Sequence, residues 1–123
     1  WKYYELDFRR YYELYVAGHA EFGKEIAYFA GGRLIGVDLV DILSDGISAV
    51  YCYYDPDFAD LSIGRYSLYQ QILLARQLNL RWIYLGYYVK DCPSLAYKAD
   101  YKPYERLCEY VPLDETPVWE KAE

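Results

Sequence analysis

The sequence predicts an α/β fold in the broad α+β sense: a mixed sheet in which an antiparallel meander leads into a central pair of parallel strands. Three observations carry this. Residues 47–89 read as strand, loop, helix, strand; residues 26–43 read as two strands about Gly31 and Gly32; and a helical apolar period over residues 4–19 precedes both. Strands joined through a helix in one sheet run parallel with a right-handed crossover, whereas two strands joined by a glycine pair form an antiparallel hairpin.

In chain order, Tyr4, Phe8, Tyr11, Tyr12, Tyr15 and His19 recur at helical spacing behind Asp7, a residue suited to capping, and Gly18 ends the run. His19 is the only histidine. Near a helix C-terminus its cation is favoured, a structural reading that weighs against a catalytic one. Strands over 26–30 and 34–43 follow, joined at Gly31-Gly32, with a second turn at Asp45-Gly46. Alternation along the second strand puts Ile35, Val37, Leu39 and Asp41 on one face and Asp38 on the other. An aspartate facing apolar neighbours here needs a donor partner or a role in proton transfer, whereas one at the strand end simply meets solvent.

Residues 47–54 are β-branched and aromatic enough for a buried strand, and Tyr54-Asp55-Pro56-Asp57 ends it. Leu61, Gly64, Leu68, Ile72 and Ala75 then fall on one helical face, with Ser62 expected to cap the helix and Asn79 to end it. Residues 82–89 return to strand composition. The helix N-terminal amides thereby come beside the carboxyl ends of the two parallel strands, a place for an anionic or ester ligand. Pro93 can open a short helical turn, Pro103 stops what precedes it, residues 107–111 offer a last strand, and the tail from Pro112 reads as an extended edge or loop.

A length of 123 residues is one domain. No repeat, signal peptide or membrane-spanning apolar run is read in it, so a cytoplasmic protein without a membrane partner is expected. Because it opens at Trp1 and holds no methionine, the sequence is expected to be a fragment. The net charge of −6 argues against a chain that coats nucleic acid through its overall field, while leaving a local basic patch open. Cys52, Cys92 and Cys108 lack metal-type spacing, so neither a disulfide scaffold nor a metal site is expected, and Cys52 is read as core packing. Eighteen tyrosines suit a cleft that holds a polar substrate without charge, or a core whose hydroxyls reach the surface. Lys90, Lys98, Lys102 and Arg106 lie among Tyr97, Tyr101 and Tyr104, which suits a phosphate with a stacked base, or a solvated face.

YYDPDF, then LSIGRYS, then YLGYYVKDCPSLAYKADYKPYE, together with GRLIGVDLVDILSDGISAVY, resemble the C-terminal domain of aminoacyl-tRNA:protein transferases. These are the arginyl-protein transferases and the bacterial aspartate/glutamate leucyltransferases of the N-degron pathway. The resemblance implies a GNAT-like fold in which the central parallel strands splay around a cleft. It implies that residues 1–123 are the catalytic domain, without the cysteine-bearing N-terminal domain, and that Asp41 stands at the family's acidic position. The implied chemistry moves arginine or leucine from a charged tRNA to the N-terminal Asp or Glu of a protein, with the charged tRNA as donor and no cofactor in this domain. Asp41 or Asp55 would orient or deprotonate the amine, and Ser62, Ile63 and Gly64 would receive the terminal nucleotide or carbonyl oxygen. Tyr54, Tyr87 and Tyr97 would line the cleft. Arg65, Lys98 and Lys102 would meet phosphate or the acceptor's carboxylate, with Cys92 close by. The loop at residues 60–64 has one glycine, unlike the glycine-rich pyrophosphate loop of acetyl-CoA users, which makes an acetyl-CoA-dependent acetyltransferase the weaker alternative. A non-catalytic tRNA- or peptide-binding module of the same fold is the other.

Overall fold

The computed structural model describes residues 21–122, so the helix expected over residues 4–18, with Asp7 and His19, lies outside the described residues. The chain forms two compact units that part after Gly86, each described here by itself. In the first, β1 (Gly23–Ala30), β2 (Arg33–Ile42) and β3 (Gly46–Tyr54) form an antiparallel meander. A 3-10 turn (Pro56–Leu61) and helix α1 (Ile63–Gln77) then lead to β4 (Trp82–Tyr84), which pairs parallel with β3. The four-stranded sheet therefore has the order β1-β2-β3-β4, mixed as the sequence predicts.

Gly31 and Gly32 both take positive φ, 56° and 81°, the requirement of a tight two-residue hairpin. Gly46 works differently from the expected turn glycine. It opens β3, and a Cβ there would lie 2.5 Å from the Trp82 carbonyl oxygen, so its place in the sequence is set by the close approach of β4. At the start of α1, Ser62 is left-handed (φ 51°) and its side chain makes no capping bond, contrary to the expected cap. Asn79 ends the helix as expected. It adopts φ 57° while its N–H reaches the Arg76 carbonyl and the Leu80 N–H reaches the Ala75 carbonyl, the paired bonds of a Schellman motif.

Two bulges decide which side chains meet α1. Between β1 and β2 the register passes from Tyr28 opposite Gly36 to Phe29 opposite Leu34, leaving Ile35 as the extra residue. Between β2 and β3 Val50 is extra. Each bulge shifts the alternation by one. Ile35 consequently leaves the Val37, Leu39 and Asp41 face and joins Tyr28 and Ile63 in a core cluster, with Cys52 packed against it. A second cluster of Val40, Ile47 and Ala75 lies further along the helix. The buried face of α1 is Ile63, Ser67, Leu68, Gln71 and Ala75, not the purely apolar row expected from its spacing, and Leu61 is exposed in the 3-10 turn.

The parallel ladder is short. It runs from Gly46 opposite Trp82 to Ser48 opposite Tyr84, while β3 continues to Tyr54. The strand expected over residues 82–89 thus ends at Tyr84, before Gly86 at φ 77°.

The second unit holds a helical turn α2 (Pro93–Ala96) opened by Pro93, a 3-10 turn (Tyr97–Asp100), and two strands, β5 (Glu105–Leu107) and β6 (Trp119–Lys121). These pair antiparallel as a separate sheet, tied by Arg106 to Glu120 at 3.1 Å. The strand expected over residues 107–111 therefore lies earlier, at Glu105–Leu107, and its partner comes from the tail expected as an extended edge or loop.

Gly46→Ala must push β4 away from β3 through a backbone clash, and overpacking of this kind costs roughly 1–3 kcal/mol. Urea denaturation should show that loss, while Gly64→Ala, where a Cβ meets nothing within 4 Å, should leave the midpoint near the wild-type value.

Candidate active site

The aspartate in apolar surroundings is Asp38, fully buried in the middle of β2. Alternation from Gly36 onward carries it on the face toward α1, between the two apolar clusters. The Ser67 hydroxyl donates to both of its carboxylate oxygens, at 2.7 and 2.6 Å; Gln71 Nε2 donates at 3.3 Å; and the Tyr28 hydroxyl of β1 donates to Oδ2. Ser67 and Gln71 are one helical turn apart, so both reach the same carboxylate. A buried charge is tolerated only with such donors. The cluster ties β1, β2 and α1 together.

The neighbouring hydroxyl and thiol stay protonated. Burial raises the Tyr28 phenol far above the ordinary tyrosine range, and its bond to Asp38 adds to the effect. Burial and a hydrogen bond to Asp38 push the Cys52 thiol up to about 12. Cys52 is thus core packing, as its sequence context predicts, and a donor to Asp38 besides. Gln71 Oε1 is buried without a hydrogen-bond partner.

A cleft lies at the carboxyl end of β3, between Leu34, Ile35, Gly36 and Val37 on one side and Tyr53, Tyr54 and Asp55 on the other. The start of α1 meets the same end of the sheet, since a Cβ on Gly36 would touch Ile63 Cγ2 at 3.3 Å and Tyr54 Cβ at 3.4 Å. Asp55 is held in two ways. One carboxylate oxygen accepts from the Asp57 N–H at 3.0 Å, capping the 3-10 turn, and the other pairs with Arg33 at 2.6 Å. Arg33 in turn lies over the Phe58 ring, 5.4 Å from its centre.

The first unit thus brings Tyr54, Asp55, Ser62, Ile63, Gly64 and Arg65 to one end of the sheet and helix. Tyr54 and Arg65 are exposed, Ile63 has its side chain in the core, and Gly64 has open space beside it. Asp41 stands elsewhere. It is half-buried opposite Ser48 and Gly23, near the other end of β2. Six residues separate it from Ile35, whose carbonyl accepts from the Asp55 N–H, a separation of roughly 20 Å along a strand.

In the second unit the Lys98 ammonium donates to the Tyr87 carbonyl at 3.1 Å, and burial lowers its pKa from the ordinary lysine value. Tyr97 is half-buried in the 3-10 turn, while Tyr87 and Lys102 are exposed. Cys92 is half-buried at the start of α2. Among the described residues no group of three or more His, Cys, Asp or Glu side chains is placed to hold a metal ion, and no helix is long and apolar enough to cross a membrane.

The family described as arginine-tRNA-protein transferase, C terminus, matches residues 3–108. The chain belongs to this family. An aspartate/glutamate leucyltransferase of Campylobacter jejuni is 53% identical over 122 residues, which is 98% of this chain and 51% of that protein. One of Helicobacter hepaticus is 40% identical over 120 residues, covering 98% of this chain and 50% of the relative. Arginyl-tRNA--protein transferase 1 of Arabidopsis thaliana is 45% identical over 96 residues, covering 71% of this chain and 15% of the relative. The chain spans about half the length of the leucyltransferases it matches.

Sequence reading separated Asp38 from the Asp41 face but did not find its partners Tyr28, Ser67 and Gln71. The available signal was a polar pair one turn apart, Ser67 and Gln71, in line with Ile63 and Ala75. Nothing local marks Tyr28 among eighteen tyrosines, or Arg33 as the partner of Asp55.

Asp38→Ala leaves several buried donors without an acceptor, each at roughly 1–3 kcal/mol, whereas Asp38→Asn keeps one acceptor oxygen. Chemical denaturation should therefore rank wild type above Asn, and Asn above Ala. With its thiol near 12, Cys52 in the native protein should alkylate at pH 8 on the order of a thousandfold more slowly than free cysteine. A folded-state pKa above the unfolded value gives stability that is complete below about pH 9 and lost as pH rises toward 12. Cys52→Ala should flatten that alkaline slope in pH-dependent melting.

Proposed function

We propose that this chain is the GNAT-like catalytic part of an aminoacyl-tRNA:protein transferase, which moves leucine from its tRNA to the N-terminal Asp or Glu of a protein and so marks that protein for N-degron degradation. The observation that carries the reading is the family match over residues 3–108. Leucine is favoured over arginine as the transferred residue because the relatives matched over 98% of the chain are named leucyltransferases, while the arginyl relative matches over 71%. The GNAT-like assignment draws on the short parallel ladder, after which β3 runs on without β4, still paired with β2, to Tyr54 beside the start of α1. A cytoplasmic location accords with a substrate such as charged tRNA.

The reaction needs little covalent help from the protein. The acceptor's α-amine lone pair attacks the ester carbonyl, a C–N bond forms, the C–O bond to the tRNA 3′ oxygen breaks, and one amine proton passes to that oxygen. An ester is already activated, so the enzyme's work is to hold amine and carbonyl together and to support proton transfer. The amides of Ile63 and Gly64 at the start of α1 would receive the carbonyl oxygen or the terminal nucleotide. Asp55 would hold the amine, and Tyr54 would line the cleft. We give that task to Asp55 and not to Asp41, which lies six residues beyond Ile35 on β2, roughly 20 Å along the strand. In the first unit Arg65 would contact tRNA phosphate; the second unit, taken by itself, offers Lys98 and Lys102 for phosphate and Tyr87, Tyr97 and Cys92 as further substrate contacts.

With the full-length protein, label should pass from leucyl-tRNA to peptides beginning with Asp or Glu and not to those beginning with Ala. Transfer from arginyl-tRNA alone would reverse the donor assignment, and transfer from neither would exclude the enzymatic reading. Asp55→Asn should lower kcat/KM on the order of a hundredfold, as loss of the charge that positions the amine does, with Asp41→Asn close to wild type.

A further inference from the structure

Asp55 of the Arg33–Asp55 ion pair lines the cleft together with Leu34, Ile35, Gly36, Val37, Tyr53 and Tyr54, and the pair is held more firmly than an ordinary surface pair. Asp55 is fixed by the Asp57 N–H, and Arg33 by the Phe58 ring. Both charges remain accessible, with the Arg33 side chain 61% and the Asp55 side chain 23% exposed. Neither is saturated. A guanidinium carries five donors, a carboxylate about four acceptor positions, and the pair uses one bond between them, with one more from Asp57.

An N-terminal Asp or Glu is itself a close pair of opposite charges, an α-ammonium and a side-chain carboxylate. We infer that the Arg33–Asp55 pair is the acceptor subsite, with Arg33 binding the carboxylate of an N-terminal acidic residue and Asp55 its α-ammonium. This rests on the transferase reading and adds to it the residue that selects the acceptor. Four charges alternating in sign satisfy one another without breaking the existing bond, and a guanidinium can take a carboxylate through two parallel N–H bonds. The ammonium must shed a proton before attack. An α-amine titrates near 8, so solvent at neutral pH accepts it, and Asp55 serves to place the nitrogen.

Two substitutions separate the charges. Arg33→Gln removes the cation, while Asp55→Asn removes the anion and keeps an oxygen for the Asp57 N–H. Fluorescence anisotropy with the full-length protein would compare C-terminally labelled peptides beginning with Asp, Asn and N-acetyl-Asp. Wild type should bind the Asp peptide about tenfold or more tighter than either of the others, one charged bond being lost in each. Arg33→Gln should abolish the preference for Asp over Asn and keep that for a free amine, and Asp55→Asn should do the reverse. A pair that only clasps the hairpin to the 3-10 turn would weaken all peptides equally in both variants, and that result, an unchanged preference in Arg33→Gln, or no peptide binding by wild type would overturn the assignment. Leucyl and arginyl transfer measured on the same wild-type protein keeps the two readings apart. Transfer without the crossed pattern removes the subsite alone, and the crossed pattern without transfer removes the reaction and leaves the subsite.

Discussion

The first unit is organised around one buried carboxylate. Asp38 lies in the middle of β2 with no exposed surface, and an ionised group there is stable only because Tyr28, Ser67 and Gln71 aim donors at it. Those donors come from β1 and from α1, so satisfying the charge fixes the helix on the sheet in translation and rotation. Apolar contacts alone, Ile63 with Ile35 at one end and Ala75 with Val40 and Ile47 at the other, would tolerate a small slide. The carboxylate between them does not.

That constraint reaches the carboxyl end of the sheet. α1 begins at Ile63, four residues before Ser67, so the bond from Ser67 to Asp38 also sets where the first amides of the helix stand relative to Gly36 and Tyr54. The cleft at that end has one wall from β2 and one from the end of β3. A site that held an amine and an ester together, as proposed, would be sensitive to small displacements, and a rigid polar tie behind it would serve that need. Tyr28 donates to Asp38, and both it and the neighbouring Cys52 thiol are kept protonated there.

The two bulges make this arrangement possible. A regular β2 would have carried Ile35 with Val37 and Leu39, away from Ile63. With Ile35 as an extra residue, two consecutive positions, Ile35 and Gly36, pack on the start of α1. Bulges commonly re-aim side chains beside functional sites, and here the shifted register also places Arg33 where it reaches Asp55 across the meander.

Sequence alone determined the element order, the hairpin at Gly31-Gly32, the end of α1 at Asn79, the parallel pairing of β3 with the strand after the helix, and the family, because each rests on short-range chemistry or on motifs read in line. The same short range explains the misreadings. Gly46 looked like a turn residue because its reason, the carbonyl of Trp82, is distant in sequence. Ser67 and Gln71 were not found as partners of Asp38 because the carboxylate that draws them inward is twenty-nine residues or more away. Only the tertiary structure decided that Asp38 is the buried charge, that Asp55 is paired with Arg33, and that Asp41 lies at the far end of β2. Bulges shift the face of every residue beyond them, and charge partners are chosen by proximity in space, so neither can be counted along the chain.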